Sequence, residues 1–129
     1  MKKAIYFFVA ILIGVIIIIY MTDVPLPKTV PDEITFTTLP SPPKYKVINR
    51  SEDIQFLFDE IEKLDLKPIL NTEKGWQMSI EYNGGVILII NQKIKINSKW
   101  FKCDEDIAAI FHEYYLKMDY PESTWGADA

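Results

Sequence analysis

An unbroken run of eighteen uncharged, almost wholly apolar residues, Ala4 to Met21, follows Met1, Lys2 and Lys3 and constrains this chain more than any other feature. As a helix at about 1.5 Å per residue it reaches about 27 Å, with every backbone group satisfied internally as hydrocarbon requires. The run is apolar on every side, and a small core could not cover such a helix. Its length, and the absence of small cleavage-site residues in Ile19-Tyr20-Met21-Thr22-Asp23, predict a retained transmembrane signal-anchor over residues 1–22 rather than a removed leader. The lipid bilayer is then the first expected partner, through residues 4–21. Lys2 and Lys3 on one flank and Asp23 on the other place the N-terminus in the cytoplasm. The expected address is the cell membrane, single-pass, with an extracytoplasmic C-terminal domain.

Charge narrows the remaining partners. The whole chain carries −4, and once Lys2 and Lys3 are set aside twelve basic residues face eighteen acidic ones, a net −6. A nucleic-acid binder needs a basic stripe, and no run in the sequence supplies one. From Cys103 to Ala129 seven acids accompany one base, Lys117, so this end should repel phosphates. Cys103 is the only cysteine, which excludes an intrachain disulfide and a multi-cysteine zinc site. No cysteine follows the apolar run to be acylated.

Six prolines and no glycine between residues 23 and 43 predict a semi-rigid spacer, because each fixes φ and biases its predecessor towards extended backbone. Within it, Glu33 to Leu39 alternates and is rich in β-formers, a short strand that could pair with the domain or with a partner. The folded domain is expected over residues 44–120, with a frayed tail over 121–129. Tyr45 to Asn49 reads as a strand. Asn49 or Ser51 then caps a helix whose Ile54, Leu57, Phe58, Ile61 and Leu64 share one face and which ends near Leu66, before Pro68. Trp76, Met78, Ile80 and Tyr82 alternate with polar residues as a half-buried strand, and Asn83-Gly84 makes a hairpin turn. Val86 to Ile90 is apolar at both parities, which predicts a central strand covered on both faces. Lys93 to Asn97 and Trp100 to Lys102 continue the meander. Asp104 caps a last helix with the stripe Ile107, Ile110, Phe111, Tyr114 and Met118, which Pro121 stops. The fold class read from these elements is α+β: a single N-terminal transmembrane helix, then a small antiparallel meander sheet of three to five strands packed with two helices in the order β-α-β-β-β-α.

No catalytic, cofactor-binding or metal-binding residues are assigned. His112-Glu113 resembles the start of a His-Glu-x-x-His zinc site, but position 116 is Leu and His112 is the only histidine. Asp104, Glu105 and Asp106 have a structural use at a helix N-terminus, where the macrodipole stabilises negative charge. Glu81 on a strand and Glu113 on a helix have no spacing that joins them across a sugar-sized cleft. Cys103 has acids beside it that raise its pKa against the opposite pull of a helix N-terminus, so a buried, inert thiol is expected. The aromatic residues left over once the core faces are filled are candidate interface residues: Trp100 or Phe101, whichever faces out, Tyr115 beside the apolar stripe, and Trp125.

The pattern of apolar and aromatic positions running from Gly75-Trp76-Gln77-Met78-Ser79-Ile80 through Ile94-Lys95-Ile96-Asn97-Ser98-Lys99-Trp100-Phe101-Lys102-Cys103 to Ile110-Phe111 and Tyr114-Tyr115 resembles small extracytoplasmic domains of low-GC Gram-positive bacteria. Those are lipoproteins or single-span proteins with an α+β domain of unknown function. The resemblance covers residues 44–120, implies address and fold, and transfers no active site; this chain departs from the lipoprotein members in lacking the acylated cysteine. Together these readings predict a membrane-anchored, non-enzymatic extracytoplasmic interaction module binding a protein or envelope component. The alternatives are a small envelope hydrolase using Glu81, Glu113 or His112, and an accessory subunit of a membrane complex.

Overall fold

The computed structural model describes residues 2–22, 24–39, 42–70 and 75–125, with the side chains of residues 18–22 outside the description. The element order is α1 (Lys2–Thr22), β1 (Ile34–Thr38), β2 (Lys44–Ile48), α2 (Ser51–Lys63), β3 (Lys67–Ile69), β4 (Met78–Tyr82), β5 (Gly85–Ile90), β6 (Lys93–Ile96), β7 (Lys99–Lys102), α3 (Ile107–Lys117) and β8 (Glu122–Thr124). The eight strands form one sheet in the order β3-β7-β6-β5-β4-β1-β2-β8, with every neighbouring pair antiparallel.

Two expectations are corrected. Among the described residues no helix is long and apolar enough to cross a membrane. The transmembrane anchor over 1–22, the bilayer contact through 4–21 and the single-pass, extracytoplasmic address derived from them therefore fall. The sheet also has eight strands, not three to five. The extra ones are β1, drawn from the proline-rich stretch, and the three-residue edge strands β3 and β8, the last lying where a frayed tail is expected; residues 126–129 of that tail lie outside the described residues. β1 lies between β4 and β2, pairing Phe36 with Ile80 on one side and with Lys46 on the other.

The β4–β7 meander forms where the local chemistry dictates. Gly84 (φ +104°) carries the left-handed residue of the β4–β5 turn, and Asn91 (φ +52°) and Asn97 (φ +56°) do so in the next two hairpins; Asn tolerates that conformation better than other side chains. Asn97 Oδ1 also accepts a hydrogen bond from the Val86 N–H at 3.2 Å, which locks its turn to β5.

Both α2 and α3 pack on the same face of the sheet. Ile54, Leu57, Phe58 and Ile61 of α2 and Ile107, Phe111 and Tyr115 of α3 join Ile34, Phe36, Ile80, Ile87, Ile89, Ile94, Ile96 and Phe101 in a single core. Val24, Leu26 and Val30, ahead of β1, pack against its margin. The two helices are tied by the Tyr114 hydroxyl, which donates to Glu60 at 3.0 Å, and by Tyr120, which donates to Asp53 and lies under the Arg50 guanidinium. The opposite face carries no helix from the α2–α3 layer. The expectation that β5 is covered on both faces is thus only half met: Ile87 and Ile89 are fully buried, while Val86, Leu88 and Ile90 are half-exposed.

Helix α3 starts later than its acids suggest. Its N-cap is Asp106, not Asp104, and the Asp106 carboxylate accepts from the Ala109 N–H at 3.1 Å. Helix α2 is preceded by Arg50, which makes no side-chain cap. Replacing Asp106 by Ala should therefore cost about 1 kcal/mol in urea unfolding, whereas Asp104→Ala and Glu105→Ala should each fall within about 0.5 kcal/mol of wild type. Equal losses at all three would show that general first-turn charge, rather than this cap, holds the helix start.

Candidate functional site

The strand parity that buries Phe36, Ile80, Ile87, Ile94 and Phe101 turns their sequence neighbours to the face opposite α2 and α3. In register, Ile69 of β3 lies opposite Trp100 of β7, Trp100 opposite Lys95 of β6, and Lys95 opposite Leu88 of β5. The same row continues from Leu88 to Ser79, Thr37, Tyr45 and Ser123 on the remaining strands. One line of side chains thus crosses all eight strands without a break.

The two ends of this row differ in chemistry. At the β8 end the pairing with β2 runs one residue past Thr124: the Trp125 N–H donates to the Pro43 carbonyl at 2.8 Å, and the indole lies 4.4 Å from the Tyr45 ring. Trp125 Nε1 points at Thr37 Oγ1, 3.4 Å away, yet the residue stays 47 % exposed. Beneath this pair Ser79 is buried, and its Oγ has no hydrogen-bond partner among the described residues. A buried orphan hydroxyl is uncommon in a folded domain.

At the β3 end the row is basic. Lys102 stands directly opposite Lys67 on one side and Lys93 on the other, and Lys95 lies two residues along β6 with its Nζ 6.0 Å from the centre of the Trp100 ring. Like charges placed directly opposite across strands oppose pairing. At the other end of the strands, Asp32, Glu33 and Glu81 line a cleft of about 660 Å³ together with Thr35 and Asn83. Thr35 and Glu81 are cross-strand partners on the face opposite α2 and α3, and among the described residues none of the three carboxylates forms an ion pair. The open face therefore carries lysines at one corner and Glu81 at another, beside the cleft.

The four candidate interface residues separate. Trp125 is exposed and Trp100 half-exposed, both on this face. Phe101 is fully buried in the core, so Trp100 is the one of the pair that faces out. Tyr115 is a correction: at 1 % exposure it packs edge-on against Phe36, with ring centres 5.2 Å apart, and cannot be surface. Its hydroxyl donates to Glu122 at 2.9 Å, and burial, with Glu122 adding to it, holds its pKa far above the usual tyrosine range. Tyr45, which stacks on Trp125, was not among the candidates; its alternation with Lys46 was the available signal.

The residues weighed for catalysis do not converge. Glu81 lies on the side of the sheet opposite α2 and α3, while His112 and Glu113 are exposed on α3 itself, so the sheet separates them. His112 borders two clefts of about 400 Å³ beside Thr38 and Leu39, and neither contains Glu81 or Glu113. The Cys103 thiol is buried, donates to the Glu105 carbonyl at 3.5 Å, and is pushed up in pKa chiefly by that burial. Among the described residues no group of three or more His, Cys, Asp or Glu side chains is arranged to hold a metal ion. In comparisons with family models, curated proteins and solved structures, nothing matches this chain.

Proposed function

We propose that this chain is a non-enzymatic interaction module that binds a protein partner on the sheet face opposite α2 and α3. The observation that carries the reading is the row from Ile69 to Ser123, continuous over all eight strands and closed over only at buried Ser79 and Thr37, with Trp100 near one end and the Tyr45–Trp125 pair at the other. Tryptophan and tyrosine in this setting offer large, rigid contact area and dominate binding energy at protein interfaces. Val86, Leu88 and Ile90 of β5 form an apolar strip between them, flanked by polar side chains of β6, β4 and β1, in keeping with contact by another protein surface.

The test is site-directed photo-crosslinking of the full chain in cells. A photoreactive residue at Val47, on the open face, should capture a protein, while the same residue at Gln55, exposed on α2, should not. Combining Trp100→Ala and Trp125→Ala should lower capture at Val47 by about tenfold or more with an unchanged circular dichroism spectrum, since each anchor of this type is commonly worth more than about 1 kcal/mol. Equal capture from both positions, or full capture by the double variant, would refute the reading.

A further inference from the structure

We infer that the protein bound by this face presents an acidic, extended segment that crosses the β3-β7-β6-β5 half of the sheet, carboxylates over a lysine corner and apolar side chains over β5; the inference rests on the open sheet face being the binding surface. Its basis is a segregation of charge along the chain. The whole protein carries −4, yet from Gly85 to Cys103 there are four lysines and no acidic residue. Strands β5, β6 and β7, built from that stretch, and β3 beside them with Lys67 thus make a basic region on an acidic protein.

Strand parity decides which of these lysines a partner meets. Trp100 and Lys102 alternate with buried Phe101, Lys95 lies between buried Ile94 and Ile96, and Lys67 stands opposite Lys102. All three lysines therefore surround the Trp100 indole on the face opposite α2 and α3. Lys93 and Lys99 already have partners, so the docking surface is drawn from Lys67, Lys95 and Lys102 alone. The acids nearest in sequence, Asp65, Asp104 and Glu105, lie past the ends of β3 and β7. They act on the Cys103 thiol, which is buried with the core on the other side of the sheet.

The spacing suits a peptide. Lys67 and Lys95 are two strands and two residues apart, about 12 Å, with Lys102 between them, and Leu88 stands opposite Lys95 one strand further on. An extended chain crossing the strands presents alternate side chains about 6.8 Å apart. Acids at i and i+2 therefore span the lysines, and an apolar residue at i+4 reaches the strip of Val86, Leu88 and Ile90. The charges steer and select the partner, while Trp100 and β5 supply the desolvated contact. A single-stranded nucleic acid fits less well, because it stacks successive bases on a series of rings. Among the described residues of β3, β5, β6 and β7, Trp100 is the one ring on this face, and the strand beyond the lysines is aliphatic.

Fluorescence anisotropy of a labelled peptide, two repeats of Glu-Ser-Glu-Ser-Leu-Ser, titrated with the full chain tests this directly. The same peptide with Gln for each Glu and an oligothymidylate of similar length are the competitors. The acidic peptide should bind about tenfold or more tightly than the Gln peptide, and its affinity should fall as salt is raised. The triple variant Lys67→Glu, Lys95→Glu, Lys102→Glu should weaken the acidic peptide by about tenfold or more and leave the Gln peptide unchanged. Lys102→Glu alone guards against misfolding. It replaces a lysine held opposite Lys67 and Lys93, so stability in urea should hold or rise, while the peptide still weakens by about threefold. Equal affinity for the two peptides, indifference to the triple variant, or tighter binding of the oligothymidylate would overturn the inference. The two failures are separable in cells. If Val47 still captures a protein and the triple variant leaves that capture unchanged, only the acidic character of the partner fails; if face-specific capture is absent, the surface itself was misread.

Discussion

Replacing Phe36 by Ala should destabilise the domain by about 3–5 kcal/mol, the cost of truncating a fully buried aromatic side chain. Phe36 has no exposed surface, sits at the middle of β1, packs edge-on against Tyr115 and is flanked across strands by Ile80 and Lys46. Small domains are stable by about 5–15 kcal/mol, so the variant should be partly unfolded at modest urea concentrations. The consequence extends beyond one cavity. β1 joins β2 and β8 to the β4–β7 meander, and without it two edges with unpaired backbone groups would be left. Urea unfolding followed by tryptophan fluorescence reads the effect, and a loss below about 1 kcal/mol would mean that β1 is a dispensable strap rather than a central strand.

Lys46→Met should cost about 3 kcal/mol, a large effect for a lysine. Its Nζ donates to the carbonyl oxygens of Tyr115 at 2.7 Å and Met118 at 2.9 Å, and lies 4.6 Å from the centre of the Tyr115 ring. These carbonyls lie at the C-terminal end of α3, where a cation also complements the macrodipole. Hydrogen bonds to charged groups contribute about 1.5–3 kcal/mol each, and a methionine of similar length would leave both acceptors without this donor in a site only 8 % exposed. The neighbouring Lys44, whose contact with Glu122 is a 3.9 Å surface pair, is the control: Lys44→Met should stay within about 1 kcal/mol of wild type. If the two substitutions proved equal in thermal or urea unfolding, the buried ammonium would not be what fastens α3 to β2.

Much of the local structure was legible because its signals are local. The period of Ile54, Leu57, Phe58 and Ile61, the alternation of Met78 and Ile80, and the Asn-Gly turn each reflect chemistry acting within a few residues, and each forms where expected. The limits of α3 were less so: three consecutive acids can each cap a helix, and only the docked position of Ile107 selects Asp106. The extent of the sheet was not legible either. β3 and β8 are three residues long, below the length at which alternation can be recognised, whereas β1 is foreshadowed by the alternation of Glu33 to Leu39 but not its position inside the sheet. Its place is decided by pairing with β4, some forty residues on, an energy no local window contains.

The same division separates the candidate residues. Sequence sufficed to name aromatic side chains in excess of what a core of this size requires, and to argue that one of Trp100 and Phe101 must face outward, because successive strand residues alternate. Which of Tyr114 and Tyr115 is buried was beyond it: they differ by about 100° of helix rotation, and the docking of α3 against Phe36 turns Tyr115 inward. The apolar run at the N-terminus determined a helix, since nothing in Ala4 to Met21 breaks one. By itself the sequence determined the two core helices, the β4–β7 meander and its turns, through backbone propensity and side-chain period. Only the tertiary structure decided that one face of the sheet stays open and that lysines and Glu81 share it, because strand order and register are set by contacts between residues distant in the chain.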